Sequence, residues 1–90
     1  MTTAGAAWTR GTTELNSTAG AMAVTLANGT FYGQQKRFFF DTDGGDVTLT
    51  VANHETTSPE VFTFDTVGSY LILEWGQNKW VTIKNYGVTV

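Results

Sequence analysis

The sequence predicts an all-β fold, a small antiparallel sandwich or barrel of about six to eight short strands. Three observations predict it. From residue 21 onward apolar side chains recur with a period of two, as on strands with one face buried. No window of the chain carries the 3.6-residue period of an amphipathic helix. The composition favours β-branched and aromatic residues, with 17 Thr and 13% Phe, Trp and Tyr, which suit a pleated, half-buried surface.

The elements follow in order. Residues 1–20 are mostly Thr, Ala, Gly and Ser, with Trp8 and Leu15 as large apolar anchors, and read as an extended N-terminal arm that orders on a neighbour. Residues 21–90 read as the single β domain. Met22, Val24 and Leu26 alternate with Ala23, Thr25 and Ala27, and Asn28-Gly29 suits a type I′ hairpin turn into a strand that starts at Thr30, breaks at Gly33 and continues through Lys36 to Asp41. In that strand Phe38-Phe39-Phe40 must place rings on both faces, so neither face is expected to be open to water. Thr42-Asp43-Gly44-Gly45 reads as the next turn. Val47, Leu49 and Val51 against Thr48 and Thr50 give the clearest alternation, and residues 53–59 a loop holding the single Pro. Phe62 and Phe64 share a face of the next strand. Leu71, Leu73 and Trp75 share one face of the strand after it, opposite Tyr70, Ile72 and Glu74. Gly76-Gln77-Asn78-Lys79 closes a hairpin that makes Trp75 and Trp80 a cross-strand pair, and residues 88–90 read as a short edge strand.

Composition narrows the function. Ninety residues make one domain with a limited core, for which oligomerisation is a natural supplement. Only 14% of residues are charged, against about 25–35% on a typical soluble surface; either much of the surface is covered in the working state, or the chain works where neutral Thr, Asn and Gly surfaces are tolerated, as in a fixed assembly. Five scattered basic residues and a net charge of −3 leave no footprint for nucleic acid. The absence of Cys removes disulfides and thiolate metal sites. The opening residues lack a basic and an apolar region, so no signal peptide is expected; no apolar run approaches 18 residues, so no membrane partner is expected either.

Candidate chemistry is sparse. His54 is the only histidine, and a hydrolase would need it near Ser58 or Ser69 with Asp65 as orienter, which no local signature supports; the expectation is a loop histidine and no enzyme. Asp41, Asp43 and Asp46 surround a double glycine but lack the spacing and bidentate Glu of a calcium loop. No cofactor and no metal is expected. Trp8, Phe31, Tyr32, Phe39, Trp75 and Trp80 admit a sugar-stacking platform, yet aromatic rings also dominate cores and interfaces.

One resemblance adds to these readings. The string from Val24 to Lys36, with its Asn28-Gly29 and Gly33-Gln34, resembles the opening of a small domain of virion structural proteins of tailed phages, particularly those of marine cyanobacteria. Thr48 to Val51, the loop from His54 to Glu60, Phe64 to Gly68, and Leu71 to Trp75 before Trp80-Val81-Thr82 are similar in type and order. The likeness spans residues 21–84. It implies a virion protein on the capsid surface, of the capsid decoration or cement type: a homotrimer that binds the major capsid protein and performs no chemistry. On that expectation Phe31, Tyr32 and Phe39 face neighbouring copies, while Trp8 and Leu15 anchor the arm on a neighbour. The alternative is a tail-fibre or host-adsorption module that binds surface carbohydrate.

Overall fold

A computed structural model describes residues 1–90. The fold is all-β, with eight strands in two four-stranded sheets packed face to face. The strands are β1 (Gly5–Ala6), β2 (Gly11–Asn16), β3 (Met22–Leu26), β4 (Gln35–Thr42), β5 (Val47–Val51), β6 (Glu60–Phe64), β7 (Tyr70–Gly76) and β8 (Lys79–Tyr86). Sheet I has the order β1-β3-β5-β6 and sheet II the order β2-β4-β7-β8.

The first five strands alternate between the sheets, so the chain winds as a flattened coil. Each return to a sheet runs parallel to the previous visit: β1 with β3, β3 with β5, and β2 with β4. The remaining pairings, β5–β6, β4–β7 and β7–β8, are antiparallel. The sheets are therefore mixed, where hairpins throughout were expected.

The Asn28-Gly29 hairpin is the first correction. Neither residue adopts the left-handed backbone of a type I′ turn, whereas Gln77 (φ 41°) and Asn78 (φ 74°) do so between β7 and β8. Residues 27–34 instead cross from sheet I to sheet II. Asn28 Oδ1 accepts from Asn53 Nδ2 at 2.7 Å. A Cβ on Gly29 would sit 2.4 Å from Cγ of Trp75, so glycine is there to let an indole close. Gly44 and Gly45 likewise make no hairpin: β4 and β5 lie in different sheets. A Cβ on either would fall 2.4 Å from backbone atoms, those of Ser17 and Ala21 respectively. The two crossings at residues 17–21 and 43–46 are stacked in backbone contact, which only glycine permits.

The arm is the second correction. Residues 1–20 are extended, but they do not lie apart from the domain. β1 and β2 form an edge of each sheet within their own chain. Leu15, expected to anchor the arm on a neighbour, is fully buried in its own core beside Phe40 in the strand register. The parallel coil explains it: β2 is one visit earlier to the sheet that β4 enters next.

The core is the set of inward positions of both sheets. Val24, Leu26, Leu49, Phe62 and Phe64 of sheet I meet Leu15, Phe38, Phe40, Leu71, Leu73 and Trp80 of sheet II, all with negligible exposure. Phe64 joins the layers, its ring centroid 6.5 Å from Phe38 and 6.2 Å from Phe40. Trp75 and Trp80 pair across the β7–β8 hairpin as expected, edge to face at 5.3 Å. Indole Nε1 of Trp80 donates to the Ala27 carbonyl at 2.9 Å, which satisfies the polar atom of a buried ring. The end of the chain also pairs as an edge: Thr89 and Thr63 exchange both backbone bonds, at 2.7 and 3.0 Å.

Candidate contact surface

The two outward faces differ in kind. Sheet I presents Ala23, Thr25, Thr48, Thr50, Val61 and Thr63, a low surface of hydroxyls and methyls. Sheet II presents rings and branched chains. Because side chains alternate along each strand, Arg37 and Phe39 of β4, Tyr70, Ile72 and Glu74 of β7, and Val81 and Tyr86 of β8 point away from the core, and the register sets them in rows. One row runs Glu14, Phe39, Tyr70, Tyr86, and the next Thr12, Arg37, Ile72, Lys84.

Within these rows the contacts are orderly. The Tyr70 and Tyr86 rings stack at 5.3 Å and 20°. Arg37 lays its guanidinium 5.6 Å from the Tyr70 ring, a cation–π arrangement that leaves its donors free. Gln35 Nε2 donates to Glu74 at 3.2 Å. The bulge at Ile72/Leu73 leaves Ile83 as the extra, unpaired residue of β8, and it is exposed, as is Tyr86. Phe39, Tyr70, Ile72 and Val81 are half-buried. Tyr32 extends the surface, sharing a shallow cleft with Gly76, Gln77, Lys79 and Val81. Such a face, with rings and branched chains interleaved with Arg37, Lys84 and Glu74, has the mixed aromatic and charged character of a surface that another macromolecule covers.

The expected interface residues thus separate. Phe39 and Tyr32 belong to the sheet II face. Trp8 and Phe31, 75% and 61% exposed, line a different cleft of about 510 Å³ with Thr9, Arg10, Thr30 and Gln34. Gln34 is buried and ties the crossing at residues 7–10 to the one at residues 27–34: its amide donates to the Thr9 carbonyl and its oxygen accepts from Thr30 N–H at 2.7 Å. Tyr70, Ile72, Ile83 and Tyr86 were not expected at an interface, although the alternation that places Tyr70 and Ile72 opposite Leu71 and Leu73 was visible in the sequence.

The other candidates are accounted for by local bonds. His54 is buried against Phe62; its Nε2 lies 2.8 Å from the Thr82 hydroxyl and its Nδ1 accepts from Thr56 N–H at 3.2 Å. An accepting Nδ1 requires the neutral ring, and burial lowers the pKa, with Glu55 and Glu60 opposing the shift. Ser69 donates to the Thr66 carbonyl and Asp65 accepts from the Thr66 hydroxyl, so His54, Ser69 and Asp65 are not brought together. Asp41, Asp43 and Asp46 do not converge either, and no three acidic or His side chains of the fold come close enough to hold a metal ion.

One buried group carried no sequence signal. Lys36 faces inward with no exposed surface. Its Nζ donates to the Arg10 carbonyl at 3.2 Å and to the Thr13 hydroxyl, and lies 5.1 Å from the Phe38 ring. No carboxylate partners it, and burial lowers its pKa to about 8.

No protein-family model matches the sequence, and no curated protein matches it.

Proposed function

We propose that this chain is a virion structural protein of the capsid decoration type, which stabilises a phage head by contact alone. The observation that carries the reading is the uncovered face of sheet II, where Phe39, Tyr70, Ile72, Val81 and Tyr86 are set in adjoining rows, while the face of sheet I is mostly Thr. The low charge and the motif resemblance over residues 21–84 support it. In the working state neighbouring copies, in the homotrimer that the resemblance implies, and the major capsid protein cover this face. Burial of apolar area, at about 25 cal/mol per Å² before the costs of ordering, drives the association.

The test is mass by light scattering together with co-sedimentation on decoration-free heads of a cyanophage. The wild-type chain is expected to self-associate and to sediment with the heads. The double variant Phe39→Ser, Tyr86→Ser is expected to lower both affinities at least tenfold, since interface aromatics carry about 2 kcal/mol or more each, with the fold retained by circular dichroism. A wild-type monomer that ignores the heads overturns the proposal.

A second reading rests on a different observation. The Trp8–Phe31 cleft joins two exposed rings to Arg10, Thr9 and Thr30, an apolar platform with a few polar groups such as a ligand site requires. That geometry suits surface carbohydrate and a host-adsorption role. Glycan-array binding abolished by Trp8→Ala would decide for it.

A further inference from the structure

Of the four sheet edges, two are covered in part and a third is too short to be a template. The β6 edge is taken by Thr89. The β8 edge is taken over its first half by residues 53–55: Trp80 N–H donates to Asn53 at 2.8 Å, Glu55 N–H to Trp80 at 2.9 Å, and the Glu55 carboxylate accepts from Thr82 N–H at 3.0 Å. The β1 edge is two residues long. Folded proteins shield edges in these ways because a free one templates pairing with another chain.

The β2 edge is shielded over its second half only, where Met1 pairs with it much as Thr89 does with β6. Along a strand the backbone groups of alternate residues point to opposite sides. Met1 shows which side is free: its ammonium donates to the Glu14 carbonyl, and its carbonyl accepts from Asn16 N–H at 2.9 Å. Even-numbered residues of β2 therefore point outward, and Gly11, Thr13 and Leu15 point to β4. Thr12 keeps both its N–H and its C=O facing out, and Glu14 keeps its N–H. These groups border an open cleft of about 540 Å³ shared with Met1, Ala6 and Trp8. Neither outward position carries the Lys or Pro that would discourage pairing.

We infer that β2 pairs antiparallel with β2 of a second copy, about a two-fold axis at Thr13, joining two copies of sheet II into one eight-stranded sheet. The residues themselves favour this register. Thr12 then opposes Glu14 of the second copy, and the outward backbone groups of each satisfy those of the other in the manner of a hydrogen-bonded antiparallel pair. On the outer face each Glu14 carboxylate meets a Thr hydroxyl rather than a second carboxylate, which avoids like charges directly opposite. Met1 is the plug that leaves Glu14 as the second strand arrives. Pairing also joins the row Glu14–Phe39–Tyr70–Tyr86 of one copy to the row Thr12–Arg37–Ile72–Lys84 of the other. This inference rests on the contact function proposed above, but the contact is two-fold and separate from the sheet II face.

The test uses the full chain, which has no cysteine. Thr13 lies on the axis at a non-hydrogen-bonded position, where opposed Cα atoms are about 4.5 Å apart and within disulfide reach. The Thr13→Cys variant is expected to convert under mild oxidant to a covalent dimer of twice 9.8 kDa, with Thr50→Cys on the outer face of sheet I as the control that stays monomeric. In the wild type, the Thr12 and Glu14 amides are expected to exchange at least tenfold more slowly at high than at low protein concentration. Thr12→Pro removes an outward N–H without touching the bonds to β4, and is expected to abolish that concentration dependence. A Thr13→Cys chain that stays monomeric, or Thr12 and Glu14 amides that exchange at one rate at all concentrations, overturns the inference. Head binding and an oligomer sensitive to Phe39→Ser would survive that result, and a β2-linked dimer that ignores heads would overturn only the proposed function.

Discussion

Replacing Leu15 by Ala is expected to lower the stability of the protein by about 3 kcal/mol, within the range of about 2–5 for a large aliphatic residue cut back in a packed core. Leu15 has no exposed surface and stands beside Phe40 in the β2–β4 register. A domain of this size holds a total of only about 5–10 kcal/mol, so the loss shows as a large drop in the urea midpoint at unchanged slope. Trp8→Ala supplies the internal comparison. Trp8 is larger and lies seven residues earlier, yet it is 75% exposed, and its loss is expected to stay within about 0.5 kcal/mol. If residues 1–20 were an arm that orders only on a neighbour, the two variants would be equally silent in the isolated chain. A Leu15→Ala effect below 1 kcal/mol would therefore overturn the placement of β2 in the core.

The contrast between those two residues shows what the sequence could and could not disclose. Strand existence was legible wherever one face met the core and the other did not: Val47 to Val51, Tyr70 to Trp75 and the flanking Trp pair stand where alternation put them. Strand partnership was not legible. Asn28-Gly29 and Gly44-Gly45 carry hairpin chemistry, but the same small residues are what close approach demands, and here a Trp ring and a neighbouring crossing occupy the space beside them. Parallel pairing joins residues as far apart as Met22 and Val47, and leaves no local signature. For β2 the obstacle was composition. Its outward positions are polar and only Leu15 is a large inward residue, so a strand at a sheet edge looks like a tail. The contact surface was legible in part, since Phe39 must oppose Phe38 and Phe40. Its completion by Tyr86 and Ile83 depends on a bulge at Ile72/Leu73 that no pattern announces.

Lys36 leads to the second large effect. Exchanging it for Met, similar in length and apolar, is expected to stabilise the protein at pH 7 by about 2–3 kcal/mol, as when a buried charge gives way to a packed hydrophobe. The cause is the ammonium held inside sheet II with two neutral hydrogen-bond partners and no carboxylate. Burial lowers the pKa from 10.5 to about 8, and each unit of displacement corresponds to about 1.4 kcal/mol. The direction with pH follows from which state holds the proton. Between about pH 8 and 10.5 the unfolded chain keeps a proton that the folded chain has released. This group therefore makes stability rise as pH rises through that window, and its full penalty is present below it. The advantage of Lys36→Met is accordingly expected to be largest at pH 7 and to shrink toward zero by pH 10.5, measured by urea unfolding of both chains at the two pH values. A variant destabilised equally at both would mean that the bonds to Arg10 and Thr13 outweigh desolvation, making Lys36 a staple that holds the start of β2 rather than a strained charge. Either result bears on the β2 edge. The lysine grips the segment that precedes Thr12 and the Thr13 hydroxyl itself, so the strand offered to a second copy is fixed from within by the group whose charge the core resists.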